Sequence, residues 1–321
     1  MIDLNSSLAE LVAKELSEEA PPTALALADA IREQRKNVAC ILFYGSCLRK
    51  KSDEGVFDFY VLVDRYSDTY DSSLLALSNT ALPPNVFYIE TQYESQTLRA
   101  KYAVLTMQDF ASAVRPECVH PYIWARFAQP AMLVYQRDEA ARDHAIRCAA
   151  QAVVTLAQRL VVFLPSNGRV QRFSLAAFWQ QAIARTYGAE RRAESRETIA
   201  TIYESARERY DRAAESAFGI LEELGWIERA TVRGGGSACE IEMAPLRRTA
   251  MRWRWHISLP VARTLAIGRL LKTAFTFGDW VPYAIWKMER HTGEAIELTK
   301  RQREHPLIFG WPVIWKVYLR R

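Results

Sequence analysis

Three residue types recur here at spacings that suit chemistry on a phosphate chain. Gly45-Ser46 follows directly on a run of β-branched and aromatic residues, and Asp58 lies twelve positions after Ser46 inside a second such run. A Gly-Ser turn lets backbone N–H groups come close to a triphosphate, and the serine hydroxyl adds a donor. An aspartate within an apolar strand must be paired or metal-bound. Magnesium asks for few carboxylates when phosphate oxygens complete its shell. Lys101 opens another apolar run and could meet the β- and γ-phosphates. Arg49, Lys50 and Lys51, in the loop after the turn, could do the same or be simply solvated. Glu90 ends a third apolar run and is the candidate for a second carboxylate. Asp64 shares a strand face with Asp58 but lies about 20 Å along the chain, too far to share a metal.

The elements that must hold these groups follow from periodicity and breakers. Val38–Tyr44 and Val56–Val63 are short, apolar and β-rich, so each predicts a buried strand, with the polar loop 49–55 between them. Residues 7–35 predict one or two helices broken at Pro21-Pro22, and 71–79 predicts another. Pro83-Pro84-Asn85 marks a turn, 86–90 a third strand, and 101–107 a fourth that opens into a helix at Asp109. From 139 to about 225 the period is helical, with breaks near Pro165 and Gly188. Gly234-Gly235-Gly236, between two β-like stretches of 226–242, predicts a hairpin or wing. The expected fold class is α+β. A mixed sheet flanked by helices would occupy residues 1–138, a helical, winged-helix-like unit 139–245, and a basic aromatic segment 246–321.

Bulk properties narrow the setting. With 321 residues, half of them apolar and a quarter charged, the chain can bury a sizeable core. Residues 226–321 hold 17 Lys/Arg against 8 Asp/Glu, whereas the first 225 hold 25 against 29, so the net charge of +5 is concentrated at the C-terminal end. Such asymmetry points to an anionic partner or to a solvated basic surface. The five scattered cysteines have neither disulfide nor zinc-ligand spacing, which fits a reducing compartment. The acidic, amphipathic N-terminus is unlike a secretory or transit signal. No apolar run reaches 18 residues. The nearest, 149–164, carries Gln151, Gln158 and Arg159 and predicts a buried helix.

The pattern of Gly-Ser, a spacer of about ten residues and a strand aspartate resembles that of the nucleotidyltransferase superfamily. Tyr60 departs from it, standing on the Asp58 face where a second carboxylate is usual. The chain is more specifically similar to the mitochondrial-type phosphatidate cytidylyltransferases, the translocator assembly and maintenance family. The residues that carry this are Phe43-Tyr44-Gly45-Ser46, Asp58-Phe59-Tyr60-Val61, the Lys101-Tyr102-Ala103-Val104 strand, and the tract Trp124-Ala125-Arg126-Phe127-Ala128-Gln129-Pro130. The family uses a single strand aspartate and often has asparagine near position 90. A weaker similarity covers Thr186-Tyr187-Gly188-Ala189-Glu190-Arg191-Arg192, which implies that Arg192 or Arg191 binds a phosphate, with Tyr187 also at the nucleotide site; solvated charges at a helix end are the other reading.

The resemblance implies a Mg²⁺-dependent reaction of CTP with phosphatidate, giving CDP-diacylglycerol and pyrophosphate. Asp58 would hold the metal, with or without Glu90; Gly45 and Ser46 would cradle the triphosphate and Lys101 would neutralise charge. A bilayer substrate implies peripheral attachment to an anionic membrane, on the cytoplasmic face of an inner membrane. Residues 259–277 predict an amphipathic helix. Leu259, Ile267, Leu270, Leu271, Ala274 and Phe277 share one side, Arg269, Lys272 and Thr276 lie opposite, and Arg263 falls within the apolar side. Trp253, Trp255, Trp280, Trp286, Trp311 and Trp315 would seat that segment at an interface or pack a core. The basic end carries no recognisable nucleic-acid module. Two other functions stay open: nucleotidyl transfer to a protein or small molecule, and an inactive, lipid-binding or scaffold relative.

Overall fold

The computed structural model describes residues 3–190 and 194–276, with side chains as far as 273. In chain order the elements are α1 (Ser7–Leu16), α2 (Pro22–Gln34), β1 (Val38–Tyr44), α3 (Ser46–Lys50), β2 (Val56–Val63), α4 (Tyr66–Thr69), α5 (Ser73–Ala81), β3 (Asn85–Tyr93), β4 (Gln96–Thr106), α6 (Met107–Ala113), α7 (Trp124–Phe127) and β5 (Ala131–Gln136). There follow α8 (Glu139–Leu160), β6 (Ser166–Asn167), β7 (Val170–Phe173), α9 (Leu175–Ala189), α10 (Arg196–Glu204), α11 (Arg207–Glu223), β8 (Arg229–Arg233), β9 (Ala238–Glu242) and α12 (Pro245–Thr276). The class is α+β, as composition and pattern predict.

The main sheet is mixed, in the order β3-β4-β2-β1-β5, with β2 and β4 parallel and the other neighbours antiparallel. Strand alternation gives it two buried faces. Phe43, Phe57, Phe59, Val61 and Val104 pack under α2, where Leu27 and Ile31 are fully buried. Leu42, Leu62 and Leu105 turn to the other face, in one core with α6, α7 and α8. That second core is continuous across residue 138. Helix α8 packs on the sheet's strands and on α1 and α11, so the first two sequence segments share one interior.

Helix α8 is buried along its last three turns, including Gln151, Gln158 and Arg159. The window Glu139–Phe163 is the candidate by length and hydropathy for a membrane span among the described residues, and 89% of it is buried inside the protein. The predicted hairpin is present: β8 and β9 pair across Gly234, Gly235 and Gly236, all at positive φ, and β9 pairs onward to β7.

Helix α12 is longer than the sequence suggested, starting at Pro245 and passing through Pro260. Of the predicted apolar side, Ile267, Leu270 and Leu271 face outward and Leu259 packs against the core, while Arg269 of the predicted polar side turns inward, the reverse of ordinary packing. Met251, Trp255, Ala262 and Arg269 face inward, while Trp253, Ile257, Leu270 and Leu271 are exposed, the last three to 63% or more. Ala274, Thr276, Phe277 and the tryptophans at 280, 286, 311 and 315 lie outside the described side chains.

Candidate active site

One end of the sheet's second face is left uncovered by α6, α7 and α8, and the strand register gathers the predicted groups there. Asp58 of β2 is flanked by Tyr44 of β1 and by Lys101 of β4. Paired residues on neighbouring strands lie about 5 Å apart and project the same way. One register step deeper, Leu42, Tyr60 and Ala103 lie on the same face within the core, so the face changes from apolar to polar within a single strand repeat. Asp58 and Lys101 are both half-buried.

The chain leaves β1 through Gly45, whose φ of +96° few other residues adopt. An added Cβ there would lie 2.9 Å from Asp58 Oδ2. The glycine therefore serves twice: it permits the turn, and it lets the backbone lie against the carboxylate. Ser46 begins α3 and is exposed at the mouth.

These residues line a cleft of about 990 Å³ that also receives side chains from α1, α7, α9 and α11. Lys14, Arg49, Lys51, Lys101, Arg126, Arg207, Arg209 and Arg212 face five carboxylates, Glu15, Glu18, Asp58, Glu190 and Glu208. Two of the five are occupied by deep ion pairs. Arg126 forms a fork with Glu190 at 2.8 and 2.9 Å, and also donates to the Tyr122 carbonyl. Burial disfavours the Arg126 charge, but the Glu190 carboxylate opposes it most strongly and the guanidinium stays protonated. Arg209 pairs with Glu15 and donates to the Ala128 carbonyl, while Glu15 accepts from the Ala131 N–H that starts β5. Arg49, Lys51 and Lys14 form no ion pair among the described residues, leaving a cationic rim suited to a polyanion.

Of the predicted site residues, the fold gathers Gly45, Ser46, Asp58, Lys101 and Tyr187 in this cleft. Tyr187, on the last turn of α9, is 8% exposed. Arg192 lies outside the described residues. Glu90 is not brought to the cleft. It sits across from Arg99 on the edge strand β3, on the Asp58 face but two strands across and two residues along, roughly 12 Å from Asp58 by strand spacing. There it accepts from Arg99 Nε at 3.1 Å and Tyr88 Oη at 2.6 Å. Asp64 pairs with Arg137 at the opposite sheet end.

Tyr60 shares the Asp58 face, yet it does not stand in for a ligand. It is fully buried, with ring centroids 5.2 Å from Tyr44 and 5.1 Å from Phe127. The position two residues after Asp58 belongs to the core here, and burial holds its phenol well above the ordinary range. Burial, followed by the Asp58 charge, does the same for Tyr44, so neither phenol is a base.

Arg126, Glu190, Arg209, Glu15 and Tyr122 carry no role in the sequence reading. Arg126 and Glu190 both stand inside stretches singled out there; Arg126 is the one charge of its tract, whereas Glu190 is followed by Arg191 and Arg192. Glu15 and Arg209 are 194 positions apart and left no local signal. Among the described residues no group of three or more His, Cys, Asp or Glu could hold a metal by itself. One carboxylate beside a glycine turn fits a magnesium ion that takes its remaining ligands from substrate phosphates and water. In comparisons with known proteins, no family model and no curated protein matches this chain.

Proposed function

We propose that the cleft is a nucleotidyltransferase active site that transfers CMP from CTP to phosphatidate, forming CDP-diacylglycerol and pyrophosphate. The observation that carries the reading is the contact of Gly45 with Asp58, with Lys101 as the cross-strand neighbour, at the floor of a cation-rimmed cleft. Asp58 would hold Mg²⁺, which when bound neutralises phosphate charge. Gly45 and the first turn of α3 would accept the triphosphate, with Lys101, Arg49 and Lys51 spreading the charge of the leaving pyrophosphate. A phosphate oxygen of phosphatidate attacks the α-phosphorus, the bond to the β-phosphate oxygen breaks, and pyrophosphate leaves with that electron pair. The nucleophile is already ionised, so no base is required, and this agrees with the protonated state of Tyr44 and Tyr60. The chemistry rests on alignment and charge neutralisation.

The outward face of α12 supports a bilayer substrate. Trp253, Ile257, Ile267 and Leu271 form an exposed stripe, and Leu74 and Leu77 of α5 are exposed beside its C-terminal half. Arg252, Arg254 and Arg263 flank that stripe on the helix. Apolar residues outward with cations at the margins suit an anionic lipid surface, each Lys or Arg adding about 1 kcal/mol.

The test uses labelled CTP, Mg²⁺ and phosphatidate in mixed micelles, with CDP-diacylglycerol as readout. Wild type should form product and stop on chelation of Mg²⁺. No product from wild type, or full activity of Asp58→Ala, would overturn the reading.

A further inference from the structure

We propose that Arg269 of α12 is a positioning residue for the cleft, acting on Arg126 through the ring of Tyr122. The inference rests on the nucleotidyl-transfer reading and adds a link between that site and the helix with the outward apolar face.

The chain of contacts is continuous. Tyr122 lines the cleft, and its ring carries two guanidinium groups: Arg126 at 4.0 Å and Arg269 at 4.8 Å from the ring centroid. Arg126 is fixed further by Glu190 and by the Tyr122 carbonyl, so its plane follows the position of residue 122. Arg269 is 8% exposed and makes no ion pair among the described residues. Its Nε donates to the Pro83 carbonyl at 2.8 Å and its Nη2 to His120 Nε2 at 3.1 Å. A guanidinium buried without a carboxylate depends on carbonyl, imidazole and π-face for its stabilisation, and the π-face is Tyr122. Both protein anchors of Arg269 precede Tyr122 in the chain, one of them by two residues. Moving α12 therefore moves or releases the ring that Arg126 rests on.

A simple clamp for α12 makes a different prediction. A clamp acts on stability and on lipid attachment, whereas a positioning residue acts on turnover, because misplacement by about 1 Å can cost up to a hundredfold in rate. The experiment measures kcat, KM for CTP, melting temperature and co-sedimentation with phosphatidylcholine vesicles containing phosphatidate. It compares wild type with Arg269→Gln, Arg269→Lys, Tyr122→Leu and the Arg269→Gln/Tyr122→Leu double variant.

Arg269→Gln should lose about tenfold in kcat while KM for CTP changes by less than about threefold. Arg269→Lys should keep the melting temperature and vesicle binding of wild type, yet remain several-fold slow, because an ammonium lacks the planar group that stacks on the ring. The double variant should be no slower than Tyr122→Leu alone, since both changes cut one link. Wild-type turnover in Arg269→Lys, or losses that multiply in the double variant, would overturn the link while leaving the site's function intact. If Arg269→Gln does not fold, the Arg269→Lys arm still decides. Absence of CTP binding and turnover in wild type would instead remove the underlying reading, and the link with it.

Discussion

The cleft and α12 dispose of charge in opposite ways. In the cleft, cations converge on open space, and the deepest of them, Arg126 and Arg209, are held by carboxylates. On α12, Arg269 and Lys272 turn inward to backbone carbonyls and His120, while Ile257, Leu270 and Leu271 face out. The first arrangement suits, under the proposed function, a soluble polyanion that brings its own negative charge. The second leaves uncovered the surface that a folded protein usually hides, which suits an apolar medium rather than a solute. Under the proposed function, these two surfaces would serve two physically different partners, a nucleotide and a lipid.

Asp58→Asn should lower turnover by about a thousandfold, the scale of removing a preorganised charge from an active site, and leave vesicle co-sedimentation unchanged. An equal loss of both would show that the two surfaces are one structural unit. Gly45→Ala should follow, at about ten- to a hundredfold in rate. The substituted residue is strained at φ +96° and its Cβ meets Asp58 Oδ2, so the variant tests whether turn and carboxylate work as one.

The outward stripe is tested by Ile257→Glu and Leu271→Glu together. Vesicle binding should fall about tenfold or more, while the melting temperature stays within about 2 °C, because neither side chain is buried. A large drop in melting temperature with lipid binding retained would make the stripe part of a core instead.

The smallest effect is set by pH. Burial, followed by the Arg269 charge, pulls His120 down to about 4. A group depressed in the folded state favours folding above its unfolded value, near 6.5, and that contribution is lost as pH falls toward 4. Thermal melting should therefore decline more steeply between pH 6.5 and 4 in wild type than in His120→Gln. Parallel curves would mean that His120 contributes nothing to seating α12.

Much of the fold was legible in the sequence. Val38–Tyr44 and Val56–Val63 form strands with the bounds their apolar runs predict, because both are buried on two faces over most of their length and Asp58 is the one charged residue within either run. Strand β5 was missed. Only its first two residues are buried, so Ala131–Gln136 offers little pattern. The Glu90 expectation went astray for a related reason. The hairpin continues past it through Tyr93 and back from Gln96, where exposed polar residues hide the strand period. Arg99, its actual partner, lies in a stretch to which the apolar pattern assigns no element.

At the cleft, the clustering of Gly45, Ser46, Asp58 and Lys101 was readable from type and spacing, since each sits inside or beside an apolar run. The walls were not. Glu15, Arg126, Glu190 and Arg209 meet only because α1, α7, α9 and α11 converge on one sheet end, and no local pattern encodes that convergence. Helix α12 teaches the converse lesson. Periodicity set Ile267, Leu270 and Leu271 apart from Arg269, but which of them faces inward depends on the Pro83 carbonyl and His120, far away in sequence.

The most direct measurement is a calorimetric titration of CTP into wild type and Asp58→Asn, with and without Mg²⁺. Wild type should bind saturably and at least tenfold more tightly when Mg²⁺ is present, and Asp58→Asn should lose that dependence on the metal. Identical isotherms for the two proteins, or no saturable binding to wild type with Mg²⁺, would contradict a nucleotide site at Gly45 and Asp58.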